Sequence, residues 1–191
     1  MDLVPTPSQT AGPYFHLGLT RTRSVSCIAG PNTKGERLRI LCRVLDGNGD
    51  PVPDAMIEVW QANAEGKYKH PDDPQDKTED SEFSGFGRME TDKNGTCIFE
   101  TIKPGRVPAN DDSTMQASHL NVSIFGRGIL KRLSTRIYFA GDSTNDLDPI
   151  LALVPDERRY TLFAQPDPQG NGDWLFDLHL CGRDETVFFD V

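Results

Sequence analysis

The stretch MQASHLNVSIFGRG, Met115 to Gly128, places one histidine and one asparagine at alternating positions on an otherwise apolar run. Its central part, HLNVSIF (119–125), has the composition and alternation expected of a β-strand. Side chains two residues apart on a strand point to the same face, so His119 and Asn121 present an imidazole and an amide side by side. The stretch therefore predicts a strand that displays two polar groups on one face.

Strand-forming segments dominate the rest of the chain as well. RLRILCRVL (37–45) alternates basic and apolar residues over its first half, which is typical of a strand with one buried face. The seven segments with strand character are RLRILCRVL (37–45), MIEVW (56–60), CIFETI (97–102), HLNVSIF (119–125), LSTRIYF (133–139), LFDLHL (175–180) and TVFFDV (186–191). We therefore predict a mainly β fold, an antiparallel β-sandwich with one short helix and long loops.

Helical signal is confined to one place, where Pro155, Asp156 and Glu157 precede RRYTLFA (158–164). A proline start followed by acidic residues favours a helix N-terminus. Residues 69–84 are acidic and interrupted by proline, which indicates a long exposed loop. A calcium site among the aspartates of this loop is disfavoured, since the glycine and the bidentate acid of a calcium loop are not evident.

Composition limits the domain count and the classes of partner. A chain of 191 residues suits one domain, 1–191, preceded by an N-terminal arm at about residues 1–16. Twenty Lys and Arg against 29 Asp and Glu give a net charge of −9, which opposes binding to nucleic acid or anionic membranes. With no long apolar run and no leader-like start, the sequence predicts a cytoplasmic protein, and its four cysteines lack the spacing of a zinc site.

Six ordered sequence blocks then resemble one known family. They are TPSQTAGPYF (6–15), DGNGDPVPDAMIEVWQANAEGKY (46–68), TIKPG (101–105), the opening stretch (115–128), TRIYF (135–139) and ETVFFD (185–190). The chain resembles the intradiol ring-cleaving dioxygenases, and most of all the α chains of protocatechuate 3,4-dioxygenases. Since the blocks span nearly the whole chain, the resemblance implies the fold and the activity of that family.

The family holds ferric iron with two tyrosinates and two histidines, and the resemblance implies that the matching positions here are Tyr68, Val107, His119 and Asn121. Phenolate oxygens suit a hard trivalent ion, whereas an amide is a poor ligand and valine offers no donor atom. Gln116 also stands where catalytic members have an arginine that stabilises charge on the ring. We therefore predict no metal in this chain, with Tyr68 and His119 as packed or hydrogen-bonded residues. No catalytic residue is expected in this chain alone.

The resemblance gives the N-terminal arm a different role, since in α chains it packs against a neighbouring chain and closes one wall of the β-chain pocket. The substrate-binding positions carried over are Thr10, Gly12, Pro13, Tyr14 and Arg127. A guanidinium suits the carboxylate of an aromatic substrate, Gly12 and Pro13 permit close approach of backbone to a flat ring, and Thr10 adds a hydroxyl. The alternative is that Arg127 faces solvent in a glycine-flanked turn and serves no site.

These expectations lead to one main hypothesis. The chain is expected to be the iron-free α subunit of a heteromeric enzyme that uses O2 to cleave 3,4-dihydroxybenzoate to 3-carboxy-cis,cis-muconate. Its partner would be a homologous β chain that binds Fe(III), in a hetero-oligomer of αβ units. An α subunit for another para-substituted catechol, such as 4-sulfocatechol, and a non-enzymatic β-sandwich binding protein are the alternatives. Arg136 in TRIYF is expected to make an interface ion pair.

Overall fold

Strands make up most of the regular structure. The computed structural model describes residues 9–21, 24–109 and 114–190. Its strands in chain order are β1 (Arg37–Leu45), β2 (Met56–Trp60), β3 (Phe86–Glu90), β4 (Thr96–Ile102), β5 (Val107–Pro108), β6 (Met115–Gln116), β7 (His119–Phe125), β8 (Leu133–Phe139), β9 (Phe163–Pro166) and β10 (Asp173–His179). The bounds predicted for β1, β2, β7 and β8 agree with those observed.

Eight of these strands form a sheet in the order β3-β2-β7-β8-β9-β10-β1-β4, and β5 and β6 form a separate pair. β9 divides the large sheet into two halves, because it pairs with β8 along one edge and with β10 along the other. Both halves contribute to one core, with Ile57 and Ile124 from the first half and Ile40 and Phe176 from the second. The predicted mainly β sandwich is therefore confirmed, in a nearly closed form.

Local sequence explains how β1 joins this core. Its apolar residues at alternate positions are buried, while its arginines lie at the surface. Arg43 lies in register with Asp177 of β10, and its Nε and Nη2 donate to that carboxylate over 2.9 and 2.6 Å. Because both side chains are well exposed, this pair aligns the strands and adds little to stability.

The pairing differs from the prediction at two places. Most neighbouring strands are antiparallel, but β1 runs parallel to β10, and β8 runs parallel to β9. Parallel neighbours require a long crossover between them, and such long-range connections leave no local pattern in the sequence. TVFFDV was also wrongly predicted as a strand, because its described residues make only one bridge, from Phe189 to Ser134.

Helical structure is short and its placement corrects the prediction. The segment expected to form a helix near residues 158–164 is a 3-10 helix, Asp156–Leu162, and β9 begins directly after it. Phe163 and Ala164 leave the helical pattern because they pair with Tyr138 and Phe139 of β8. Two further 3-10 turns, Asn145–Leu147 and Leu151–Leu153, follow β8.

The α-helix of the described chain, α1 (Pro13–Leu19), lies in the predicted arm. The proline at its first turn is suited to a helix start, since its missing N–H is not needed there. The arm boundary expected near residue 16 therefore falls inside a helix, and residues 1–8 lie outside the described residues. Among the described residues, no helix combines the length and the apolar character required to cross a bilayer.

Candidate functional site

Two of the four predicted ligand positions, Tyr68 and Asn121, are hydrogen-bonded to each other. The ring of Tyr68 stacks on Trp60, with centroids 5.9 Å apart and 9° between the planes. Asn121 pairs with Trp60 across β2 and β7, and its Nδ2 donates to the Tyr68 hydroxyl oxygen over 3.2 Å. Burial raises the pKa of Tyr68 although the bond from Asn121 lowers it. Tyr68 is therefore a neutral phenol at neutral pH.

His119 lies on the same face of β7 and is 3% exposed. Its Nδ1 lies 2.8 Å from the carbonyl oxygen of Ala117, so Nδ1 carries the proton and donates it. Its Nε2 is buried and makes no hydrogen bond within the described part of the chain. Burial, followed by the charge of Arg136, lowers the pKa of His119 to about 4. A histidine that ligates a metal through one ring nitrogen commonly donates from the other nitrogen to a carbonyl oxygen. His119 makes that bond from Nδ1, while its Nε2 has no hydrogen-bond partner among the described residues.

The fourth position, Val107, is buried and offers no donor atom. It pairs with Gln116 where β5 meets β6. Gln116 donates from Nε2 to the carbonyl oxygen of Pro108 over 2.8 Å and accepts a bond from Arg136 Nη1 over 2.8 Å. The structure therefore brings all four predicted ligand positions to one region, with Gln116 paired to one of them, Val107.

Arg136 and Tyr138, which face this region from β8, complete its hydrogen bonding. Arg136 Nη1 donates to the Tyr138 hydroxyl oxygen over 3.2 Å, and that hydroxyl donates to Asp148 Oδ1 over 3.2 Å. Asp148 is buried and accepts bonds from the N–H groups of Ala117, Ile150 and Leu151. The guanidinium of Arg136, which was expected to form an ion pair at an interface, therefore makes hydrogen bonds to Gln116 and Tyr138 of its own chain.

A cavity of about 410 Å³ opens beside these positions. Its lining includes the polar and aromatic residues Trp60, Tyr68, His70, Asp72 and Asp73, together with the apolar Val107. Two carboxylates on the wall repel an anionic ligand, so the cavity is poorly suited to an aromatic acid. Among the residues that the structure describes, this region therefore offers neither the family's ligand set for ferric iron nor a favourable potential for that class of substrate.

The predicted substrate-binding residues gather at a second place. Thr10 Oγ1 accepts a bond from the N–H of Gly128 over 2.7 Å, and Gly12 and Arg127 line one small cavity. Pro13 begins α1, and the Tyr14 side chain is 85% exposed. Thr10, Gly12 and Arg127 are thus brought together, while Tyr14 projects into solvent.

Arg127 is 71% exposed and lies beside a carboxylate, with 3.4 Å between its Nε and Asp54 Oδ2. This pair is too exposed to contribute much stability. The guanidinium therefore remains accessible to an anion presented from outside the chain.

These two places lie at opposite ends of β7. His119 opens the strand and Phe125 closes it, one residue before the glycine-flanked turn that carries Arg127. At about 3.3 Å per residue, the two ends are separated by roughly 20 Å. The predicted substrate-binding residues therefore do not face the predicted ligand positions of their own chain.

A cluster that sequence reasoning missed fixes α1 to the sheet. His16 Nδ1 lies 2.5 Å from Glu90 Oε2 and 3.4 Å from Asp54 Oδ1, and Thr20 Oγ1 donates to Glu90 Oε2 over 2.7 Å. The ring of Phe15 also packs on Phe125, with centroids 5.4 Å apart. No local signal could have found this cluster, since its residues are far apart in the sequence.

Within the described residues, His16, Asp54 and Glu90 form the one group of His, Asp and Glu whose donor atoms converge enough to hold a metal ion. Their contacts with one another and with Thr20, and the neighbouring Arg127 cation, already account for the arrangement. The group is therefore an attachment of the arm to the sheet.

Comparison with known proteins gives two decisive matches. The family model described as Dioxygenase matches residues 10–180. The protocatechuate 3,4-dioxygenase alpha chain of Burkholderia cepacia is 41% identical over 202 residues, covering 99% of this chain and 98% of the relative. The chain belongs to the intradiol dioxygenases.

One further relative supports this assignment to the intradiol dioxygenases, and one solved structure supports the fold. The protocatechuate 3,4-dioxygenase beta chain of Burkholderia cepacia is 41% identical over 158 residues, covering 80% of this chain and 67% of the relative. The structure of an intradiol ring-cleavage dioxygenase from Tetranychus urticae superposes with a TM-score of 0.65 at 20% identity. It covers 95% of this chain and 98% of the other, and it supports the fold.

Intradiol dioxygenases use non-haem iron(III), and the residues at the matching positions of this chain do not fit that ion. Tyr68 and His119 are potential donors, but Val107 has no donor atom and the Asn121 amide is bonded to Tyr68. A hard trivalent ion needs anionic oxygen ligands, and the phenol of Tyr68, at one of the four positions, is held neutral by burial. The family fold is thus present with a ligand set that departs from the family pattern.

Proposed function

We propose that this chain is the iron-free α subunit of a heteromeric protocatechuate 3,4-dioxygenase, a single domain that pairs with a homologous β chain. The β chain would supply Fe(III), which activates the bound catecholate toward O2. The α chain would supply part of the wall of the β-chain pocket. The overall reaction would convert 3,4-dihydroxybenzoate and O2 to 3-carboxy-cis,cis-muconate.

The observation that carries this proposal is the separation along β7. Thr10, Gly12 and Arg127 gather at one end of the strand, and the altered ligand positions lie at the other, roughly 20 Å away. If the arm and Arg127 contact a catechol, the iron that acts on that catechol must belong to another chain. The identity to α chains and the existence of a homologous β chain support the same division of roles.

Each residue of the α chain then has a specific task. Arg127 would orient the substrate by charge-assisted bonds to its carboxylate, and Thr10 would hold the turn that carries Arg127. Gly12 and Pro13 would form a thin backbone wall against the ring. Tyr14, which is exposed in the isolated chain, would be covered in the assembly.

Co-expression with a candidate β chain tests the proposal. We expect a tag on this chain to recover both chains as one complex with rapid oxygen uptake on protocatechuate, while this chain alone shows neither colour nor turnover. The β chain expressed alone is the matched control. Failure of the chains to associate, or equal turnover by the β chain without its partner, would overturn the assignment.

The same preparation distinguishes the choice of substrate. Arg127 suits a carboxylate or a sulfonate, because both accept charge-assisted bonds. Higher kcat/KM for 4-sulfocatechol than for protocatechuate would assign the chain to a sulfocatechol enzyme. A cytoplasmic location stays a prediction, which fractionation of expressing cells tests.

A further inference from the structure

We propose that the guanidinium of Arg136 takes the place of the metal ion in this chain, as an internal cation that ties the four former ligand positions together and excludes iron. The inference rests on the proposed iron-free role and deepens it. It names the group that stands among the predicted ligand positions when Val107 and Asn121 replace two iron ligands. It also assigns a role to Arg136, which is not one of the four positions.

Strand register places Arg136 on the correct face. Across β7 and β8, Arg136 pairs with Asn121, and Tyr138 pairs with His119. Residues two apart on a strand share a face, so these four side chains lie on one face. The opposite face, with Leu120 and Ile137, belongs to the main core.

Hydrogen bonds, strand pairing and ring packing together connect the guanidinium to the four former ligand positions. Arg136 Nη1 donates to Gln116, the strand partner of Val107. It also donates to the hydroxyl of Tyr138, whose ring lies 5.7 Å from that of His119 between centroids. The other two positions are Asn121 and Tyr68. Asn121 is the strand partner of Arg136, and its side chain donates a hydrogen bond to the Tyr68 hydroxyl.

The Arg136 guanidinium also places a fixed positive charge beside the former ligand positions. The buried carboxylate of Asp148 accepts from the Tyr138 hydroxyl that Arg136 also contacts. A ferric ion in this region would therefore meet the fixed positive charge of the Arg136 guanidinium.

Restoring the ligands provides the test. We would prepare the full chain as wild type, as Val107→Tyr/Asn121→His, and as that pair combined with Arg136→Gln. Each would be incubated with ferric nitrilotriacetate, desalted, and measured for iron per chain and for visible tyrosinate-to-iron absorbance. We expect the pair with Arg136 retained to stay colourless and iron-poor, and the triple variant to hold at least about tenfold more iron.

Two more substitutions in the Val107→Tyr/Asn121→His chain distinguish the effect of the Arg136 charge from the effect of its bulk. Arg136→Lys keeps the cation and should still exclude iron, whereas Arg136→Met keeps similar bulk without charge and should admit it. If the pair with Arg136 retained binds as much iron as the triple variant, the inference is overturned. Iron bound stoichiometrically by the wild type would instead overturn the proposed function, so the two failures are distinguishable.

Stability of single variants gives a second measurement that does not depend on the engineered ligands. Arg136→Met should lower Tm by about 5 °C or more, because Gln116 and Tyr138 lose a partly buried partner. Arg132→Met, at an exposed position on the same segment, should change Tm by less than about 1 °C. An Arg136→Met chain as stable as wild type would contradict the structural part of the inference.

Discussion

Asn121 and Tyr68, which stand at two of the predicted ligand positions, are hydrogen-bonded to each other, with Asn121 Nδ2 donating to the Tyr68 hydroxyl oxygen over 3.2 Å. The two side chains are thus partners within a hydrogen-bonded network of this chain. A buried hydroxyl that loses its partner costs free energy, so this bond is expected to contribute measurably to stability.

A double-mutant cycle measures that contribution. Asn121→Leu and Tyr68→Phe each remove one partner, and the combined variant removes both. We expect a coupling free energy of about 0.5–1.5 kcal/mol from urea unfolding, with Asn121→Leu the more damaging single change because it leaves the hydroxyl unsatisfied. Additive effects of the two substitutions would show that the bond is not formed in solution.

The buried state of His119 predicts a specific pH dependence. Its folded pKa of about 4 lies below the ordinary value of 6.5, so the unfolded chain binds a proton that the folded chain does not. The free energy of unfolding should therefore fall as pH decreases from about 6.5 to about 4, by at most about 3 kcal/mol from this group.

The comparison with His119→Gln isolates this effect from the carboxylates that also titrate in acid. We expect the variant to lose the slope between about pH 6.5 and about pH 4, measured by urea unfolding at closely spaced pH values. His70→Gln, at an exposed position, should keep the wild-type slope. Retention of the full slope in His119→Gln would assign it to other groups.

Arg127 is expected to act on the substrate anion. In the assembled enzyme, Arg127→Ala should lower kcat/KM for protocatechuate by about 10- to 100-fold, which corresponds to the loss of a charge-assisted bond of about 1.5–3 kcal/mol. Turnover of catechol, which has no carboxylate, should change little. Arg132→Ala is the matched control, and an equal loss on both substrates would indicate a role in assembly instead.

The attachment of the arm through His16 and Glu90 also predicts a measurable change. Glu90→Gln removes the carboxylate that contacts His16 and Thr20, so α1 should exchange its amide hydrogens faster while the sheet is unaffected. Since these side chains are partly exposed, the loss of global stability should stay within about 1 kcal/mol. Glu100→Gln on β4 serves as the control, and unchanged exchange in α1 would show that the cluster does not hold the arm.

Local pattern was sufficient for much of the fold. Strand-forming composition between turn residues predicted the bounds of β1, β2, β7 and β8, and in β1 the alternation of basic and apolar residues matches the buried face. The short β9 and the parallel pairing of β1 with β10 depend on contacts between distant segments. Such contacts are set by packing of the whole domain, which no local window of sequence contains.

The site was predictable only to the extent that it depends on single positions. Tyr68, Val107, His119 and Asn121 could be placed by family resemblance, and the structure brings them together. The hydrogen bonds of Arg136 to Gln116 and Tyr138 could not be predicted, since the local sequence is the same for an arginine that faces solvent and for one that bonds within the chain. The attachment of His16 to Asp54 and Glu90 likewise depends on three elements that meet only after folding.

The iron content of the assembled enzyme tests the division of roles most directly. Metal analysis of the purified complex, combined with quantitation of both chains, gives the number of iron atoms per αβ pair. We predict one iron per αβ pair, all of it retained by the β chain after the subunits are separated. Two iron atoms per pair, or iron recovered with this chain, would contradict the assignment of an iron-free α subunit.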